Sequence, residues 1–122
     1  MDYIKQFGKN MIYNKYIMVK PGGLNEMQIV TDVKKFEADL GVTSLQLLDC
    51  IIKDKTIAKE CELTFISYKT QVVAGIMYYI KVGITRNNEM SFVHVKLFKH
   101  FVDAFELLDS KQAKKDEEIS YF

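Results

Sequence analysis

The sequence predicts an α+β fold, with a helix packed on one face of an antiparallel sheet, and two changes in apolar spacing carry that expectation. Ile29, Val33, Phe36 and Leu40 recur at intervals of four, three and four, with Lys34, Lys35, Glu37 and Asp39 between them. That spacing is the signature of an amphipathic helix with one apolar stripe, ending near Gly41. From Leu63 onward the period is two, as half-buried strands require.

Taken in order, residues 1–20 hold Lys5, Lys9, Lys15 and Lys20 against Asp2 alone, and read as a basic extension in solvent. Pro21-Gly22-Gly23 is the strongest punctuation in the chain and separates that leader from the rest. The helix follows, over the stripe from Ile29 to Leu40. Beyond Gly41, Ser44 offers a cap for a second helix carrying Leu45, Leu48 and Ile52. The run Leu47-Leu48-Asp49-Cys50-Ile51-Ile52 fits a buried strand equally well, and the sequence leaves both readings open.

Thr64, Ile66, Tyr68, Thr70 and Val72 then share one face of a strand. Ile76, Tyr78, Ile80, Val82 and Ile84 alternate with Met77, Tyr79, Lys81, Gly83 and Thr85 in a second strand. Arg86-Asn87-Asn88-Glu89 is a polar turn, because asparagine tolerates positive φ. A third strand sets Val93, Val95 and Leu97 opposite Phe92, His94, Lys96 and Phe98, which leaves His94 half-exposed. The terminal Glu118-Ile119-Ser120-Tyr121-Phe122 adds a last short strand, giving four or five in all.

Composition narrows the function classes. A chain of 122 residues with 48% hydrophobic content suits one domain with a real core. The formal net charge of +1 argues against a nucleic-acid partner, although Tyr3, Phe7, Tyr13 and Tyr16 interleave with the leader lysines. No window approaches 18 apolar residues, so neither a spanning helix nor a membrane partner is expected. The leader lacks the unbroken apolar core of a secretory signal. Cys50 and Cys61 are too few for a disulfide framework and read as two reduced thiols, which fits a cytoplasmic protein.

Catalysis finds little support. No local signature surrounds Cys50 or Cys61 to pair either with His94 or His100 as a nucleophile. His94, His100 and Asp103 lack the one-face spacing of zinc motifs, and Gly22-Gly23 lacks the lysine and hydroxyl of a phosphate loop. The expectation is a chain that is not an enzyme and takes no cofactor or metal.

One segment is odd for its position. Gln71-Val72-Val73-Ala74-Gly75 lies between two strands, yet carries no charge where a hairpin tip usually bears Asn, Asp, Ser or Lys. Gly75 supplies the freedom of a tight reversal. Val72 and Val73 either continue a buried strand or form an apolar tip meant for another protein's cleft. Pattern alone does not choose.

The stretch from Tyr68 to Gly75, followed by Tyr78-Tyr79-Ile80-Lys81-Val82, resembles the stefin (type-1 cystatin) segment with its Gln-x-Val-x-Gly loop. Three fixed positions alone are weak, but three more matches occur in order. Pro21-Gly22-Gly23-Leu24 resembles the N-terminal trunk of stefins, and the run from Phe92 to Lys99 the strand after the first hairpin. Lys115-Asp116-Glu117 with Tyr121-Phe122 resembles the stefin ending.

The resemblance implies a cystatin-like domain over residues 21–122, an antiparallel sheet wrapped on one helix, and a monomer. Its partner would be a papain-like, cathepsin-type cysteine peptidase, blocked by a wedge. In that wedge Gly22, with Gly23 beside it, passes the nucleophile on the non-primed side. Gln71, Val72, Val73, Ala74 and Gly75 press on the centre of the cleft. The second loop departs from the family. Lys99-His100 leads into Phe101-Val102-Asp103, where stefins commonly place a Leu-Pro or similar pair. Phe101 and Val102 suit a second apolar tip or the core equally. The leader has no stefin counterpart, and the region from Leu40 to Lys59 is lengthened. A cystatin-fold interaction module that no longer inhibits is the alternative.

Overall fold

The computed structural model describes residues 24–73, 75–100 and 105–122. Their element order is β1 (Gln28–Ile29), α1 (Val33–Leu40), α2 (Ser44–Ile51), α3 (Lys55–Ala58), β2 (Glu62–Val73), β3 (Gly75–Arg86), β4 (Glu89–Lys99) and β5 (Phe105–Ala113). The five strands form one antiparallel sheet in the order β1-β2-β3-β4-β5. The α+β class therefore stands. The helical layer is divided among three segments rather than being one helix.

The first helix begins four residues later than its apolar stripe suggests. Asp32 caps α1 by accepting from the Lys35 amide, and Gly41 ends it at φ 77. Ile29 lies ahead of that cap, pairs with Ser67 as part of the edge strand, and is 65% exposed. Backbone pairing has thus overridden side-chain periodicity there. Only Phe36 and Leu40 of α1 are buried. The ambiguous run after Gly41 is helical. Thr43, not Ser44, is the cap, and Thr43 and Gln46 exchange hydrogen bonds as a capping box. Leu47 and Leu48 face inward, whereas Leu45 is 72% exposed.

Helices and sheet meet around Phe36, whose ring centroid lies 5.1 Å from Phe65, 4.6 Å from Tyr68 and 6.2 Å from Tyr78. Ile80, Val82, Val95 and Leu97 complete the sheet side of this core. Strict alternation predicts one unbroken β2 face from Thr64 to Val72. Instead a bulge between Phe65 and Ser67 resets the alternation. Leu63 and Phe65 point to the helices before it, and Tyr68 packs against the same core after it. Ser67, Lys69 and Gln71 consequently share the opposite face with Lys81, Tyr79 and Met77, their cross-strand partners.

That opposite face is covered too. The terminal residues do not form a strand; residues 114–122 cross the sheet as a strap. Lys69 donates its ammonium to the Ile119 carbonyl at 2.8 Å, and Lys81 donates to the Lys115 carbonyl at 2.8 Å. Lys96 donates to the Phe122 carbonyl. Around its ammonium stand Tyr79, Tyr121 and Phe122, with centroids 5.6–5.9 Å away. Backbone carbonyls offer what a strand would have offered, so no further ladder is needed to hold the strap.

Beneath it lies His94, fully buried rather than half-exposed. Burial pushes its pKa down, Lys81 and Lys111 push the same way, and the Glu117 carboxylate opposes them. A histidine held below its ordinary pKa stays neutral in the fold while the unfolded chain takes up a proton. Its contribution to stability is complete above the ordinary value of 6.5 and falls away as pH drops below it. Glu117 acts in a separate window. Its pKa is lowered, chiefly by the Lys114 amide, so its contribution holds above 4.5 and is lost at more acidic pH. Chemical denaturation between pH 7.5 and 5 should show stability declining with acid, at no more than about 1.4 kcal/mol per pH unit for one proton. His94→Leu should flatten the decline over this range; an unchanged slope would assign it elsewhere.

Candidate functional site

The long β2–β3 hairpin projects one end of the sheet. Its register runs Gln71 to Met77, Val72 to Ile76 and Val73 to Gly75, and Ala74 lies outside the described residues. Val72 is 52% exposed and Val73 36%, so neither is core. Gln71 is buried on the strap side of the sheet. Two uncharged side chains thus stand at the surface where the sheet ends.

Gly75 fixes how this tip sits. Its φ is 145°, a value that L side chains rarely adopt. A Cβ there would lie 2.6 Å from the Lys99 carbonyl oxygen and 2.7 Å from the Phe98 ring. The absence of a side chain lets the first hairpin rest directly on the end of β4. Lys99 is itself anchored, because its ammonium donates to the Asp39 carbonyl at 2.8 Å, on the last turn of α1. The helix, the hairpin tip and the end of β4 are thereby braced against one another.

The same sheet end gathers two other segments. Lys99 pairs with Phe105, so the strand ends flanking residues 101–104 lie beside the hairpin. His100 packs edge-on to Phe98, 4.5 Å between centroids, and approaches Glu106 at 3.8 Å across the strands. On the far side of β2, the Asn25 amide donates to the Thr70 carbonyl at 2.8 Å, and its side chain donates to the Thr70 hydroxyl at 2.8 Å. Of the residues singled out from sequence, Gln71, Val72, Val73 and Gly75 therefore share this end. Gly22, Gly23, Ala74, Phe101 and Val102 fall outside the described residues. Nothing in the sequence marks Asn25, Thr70, Phe98 or Lys99 as supports of the tip, since each acts there through a partner distant along the chain.

Among the described residues no group of three or more His, Cys, Asp or Glu is arranged to hold a metal, and no helix is long and apolar enough to cross a membrane. Cys50 and Cys61 are free thiols. Cys50 rides on α2 over the core face, while His94 lies on the other face of the sheet, so the sheet itself separates them.

Residues 62–118, from the start of β2 into the strap, match the family model for the cystatin domain. Cystatin-A2 of Dictyostelium discoideum is 38% identical over 72 residues, covering 58% of this chain and 72% of that protein. Cystatin-A of Bos taurus is 38% identical over 79 residues, 65% of this chain and 70% of the relative. Cystatin-A of Mus musculus is 33% identical over 105 residues, 84% of this chain and 98% of the relative.

The chain belongs to the cystatin family, as a type-1 (stefin) member. As a cystatin it is not an enzyme. In this cystatin the matched region contains the four long strands, while α2 and α3 precede it.

Proposed function

We propose that this cystatin is a reversible, tight-binding inhibitor of papain-like, cathepsin-type cysteine peptidases, working as a wedge whose main edge is residues 71–75. One observation carries the reading: Val72 and Val73, uncharged and exposed, end a hairpin that packs at Gly75 on the end of β4, where Lys99 reaches back to α1. A braced tip loses little conformational freedom on docking, so more of its apolar burial appears as affinity. Each valine taken out of water contributes about 1.5–3 kcal/mol before such costs. A porcine relative, 36% identical over 75 residues, bears the name leukocyte cysteine proteinase inhibitor 1, which favours the same class of target.

In this reading Gln71, Val72, Val73, Ala74 and Gly75 meet the centre of the cleft. Gly22 and Gly23 pass the peptidase nucleophile, and Phe101 and Val102 form the second edge. Residues 21–122 are the inhibitory domain, monomeric, and residues 1–20 a basic extension. The two free thiols favour the cytosol as its setting.

Titration of papain with the full chain should give reversible inhibition at micromolar concentration or below, with the chain recovered uncut. Covalent, time-dependent loss of peptidase activity, or stoichiometric cleavage of the chain, contradicts a wedge. A folded chain that leaves papain fully active points instead to an interaction module.

A further inference from the structure

We infer that Asn25 and Thr70 are positioning residues: together they aim the N-terminal trunk at the same cleft as the hairpin tip. The inference rests on the inhibitory reading above and deepens it.

Asn25 lies two residues after Gly23 and is tied to Thr70 by both its backbone amide and its side chain, each at 2.8 Å. The residues it joins are 45 apart in sequence, so no local turn imposes the pairing. Thr70 precedes Gln71, and the exposed valines follow immediately. The anchor for the N-terminal segment thus sits almost at the tip it must work beside.

The next pairing along the chain is Gln28 with Tyr68, in an edge strand of only two residues, followed by the Val30 amide on the Ile66 carbonyl at 3.0 Å. Loss of the side-chain bond leaves this point held by one backbone bond, and whenever that bond opens the last fixed point retreats three residues. That gives the chain roughly 10 Å of additional free length at about 3.3 Å per residue. A trunk so loosened must be ordered again at each docking event, and that cost falls on affinity. The fold itself loses little, because both side-chain atoms lie in an exposed hydrogen bond.

The test uses the full chain against papain, comparing the parent with Asn25→Ala, Thr70→Val and the pair combined. Thr70→Ser keeps the hydroxyl. Each protein is also made with Gly23→Arg, which blocks the trunk. Asn25→Ala and Thr70→Val each remove the side-chain bond and keep the backbone one, so each should raise the inhibition constant about three- to tenfold, the range open to one hydrogen bond. The increase should appear mainly in the dissociation rate. The double variant should be no worse than the weaker single one, Thr70→Ser should restore inhibition, and melting temperatures should stay together. In the Gly23→Arg background the losses should vanish.

If both single variants match the parent while Gly23→Arg inhibits less well, the inhibitory reading stands and the clamp is wrong. Equal losses in both backgrounds would also overturn it, by placing the effect on the hairpin instead of the trunk. A parent that leaves papain untouched removes the reading and the clamp together.

Discussion

Gly75→Ala should abolish most inhibition of papain and lower the melting temperature in the same protein. Both effects have one cause. At φ 145° an alanine is strained by about 1–3 kcal/mol. Its methyl would also fall 2.6 Å from the Lys99 carbonyl oxygen, a backbone atom, and 2.7 Å from the Phe98 ring. Relieving that overlap means moving the hairpin off β4, at a further cost of about 1–3 kcal/mol. The melting temperature should therefore drop by roughly 10 °C or more. Because the displaced element carries Val72 and Val73, inhibition should weaken at least about a hundredfold, the equivalent of about 2.7 kcal/mol. Thermal denaturation followed by circular dichroism, alongside a papain titration, measures both. A variant as stable as the parent would show that Gly75 neither needs its conformation nor touches β4.

Val73→Asp should separate what Gly75→Ala joins. Val73 is at the surface, so a carboxylate there is solvated in the free protein and the melting temperature should move little. In the peptidase complex that charge would be carried into an apolar, dehydrated interface without a partner, which is strongly unfavourable. Inhibition should weaken at least tenfold, the change that about 1.4 kcal/mol produces. An unfolded variant would assign Val73 to the core. If the variant folds and inhibits like the parent, the tip is not the docking surface, and the inhibitory reading loses its main edge.

How much of this is legible in the sequence depends on how local each determinant is. β3 can be read almost residue by residue, because Ile76, Tyr78, Ile80, Val82 and Ile84 all face one core through an unbroken ladder with β4. The Asn87-Asn88 turn is legible for the same reason, and both residues adopt positive φ, 55° and 64°. β2 is not, since the bulge at Ile66 leaves no mark in composition and reverses the facing of every later residue. His94 reads as half-exposed because alternation assumes that one sheet face meets water; the strap removes that face from solvent. Ile29 joins the helical stripe by spacing alone, whereas the Asp32 cap and the pairing with Ser67 claim it for the edge. The uncharged composition of the tip draws notice to Val72 and Val73. Their surroundings depend on Asn25 and Lys99, which no window around residues 71–75 contains.

The paired asparagines also decide how this protein can be attached to anything else. β3 has the tip at one end and the Asn87-Asn88 turn at the other, separated by twelve residues, or about 40 Å at roughly 3.4 Å per residue. A dye or surface linker near that turn would stand as far from residues 71–75 as this strand allows. The asparagines themselves are poor attachment points, because a modified L side chain at either would have to keep a left-handed backbone. Glu89, exposed and next in the chain, has no such demand, and a cysteine placed there, with Cys50 and Cys61 replaced by serine, would tether the molecule with its tip directed outward.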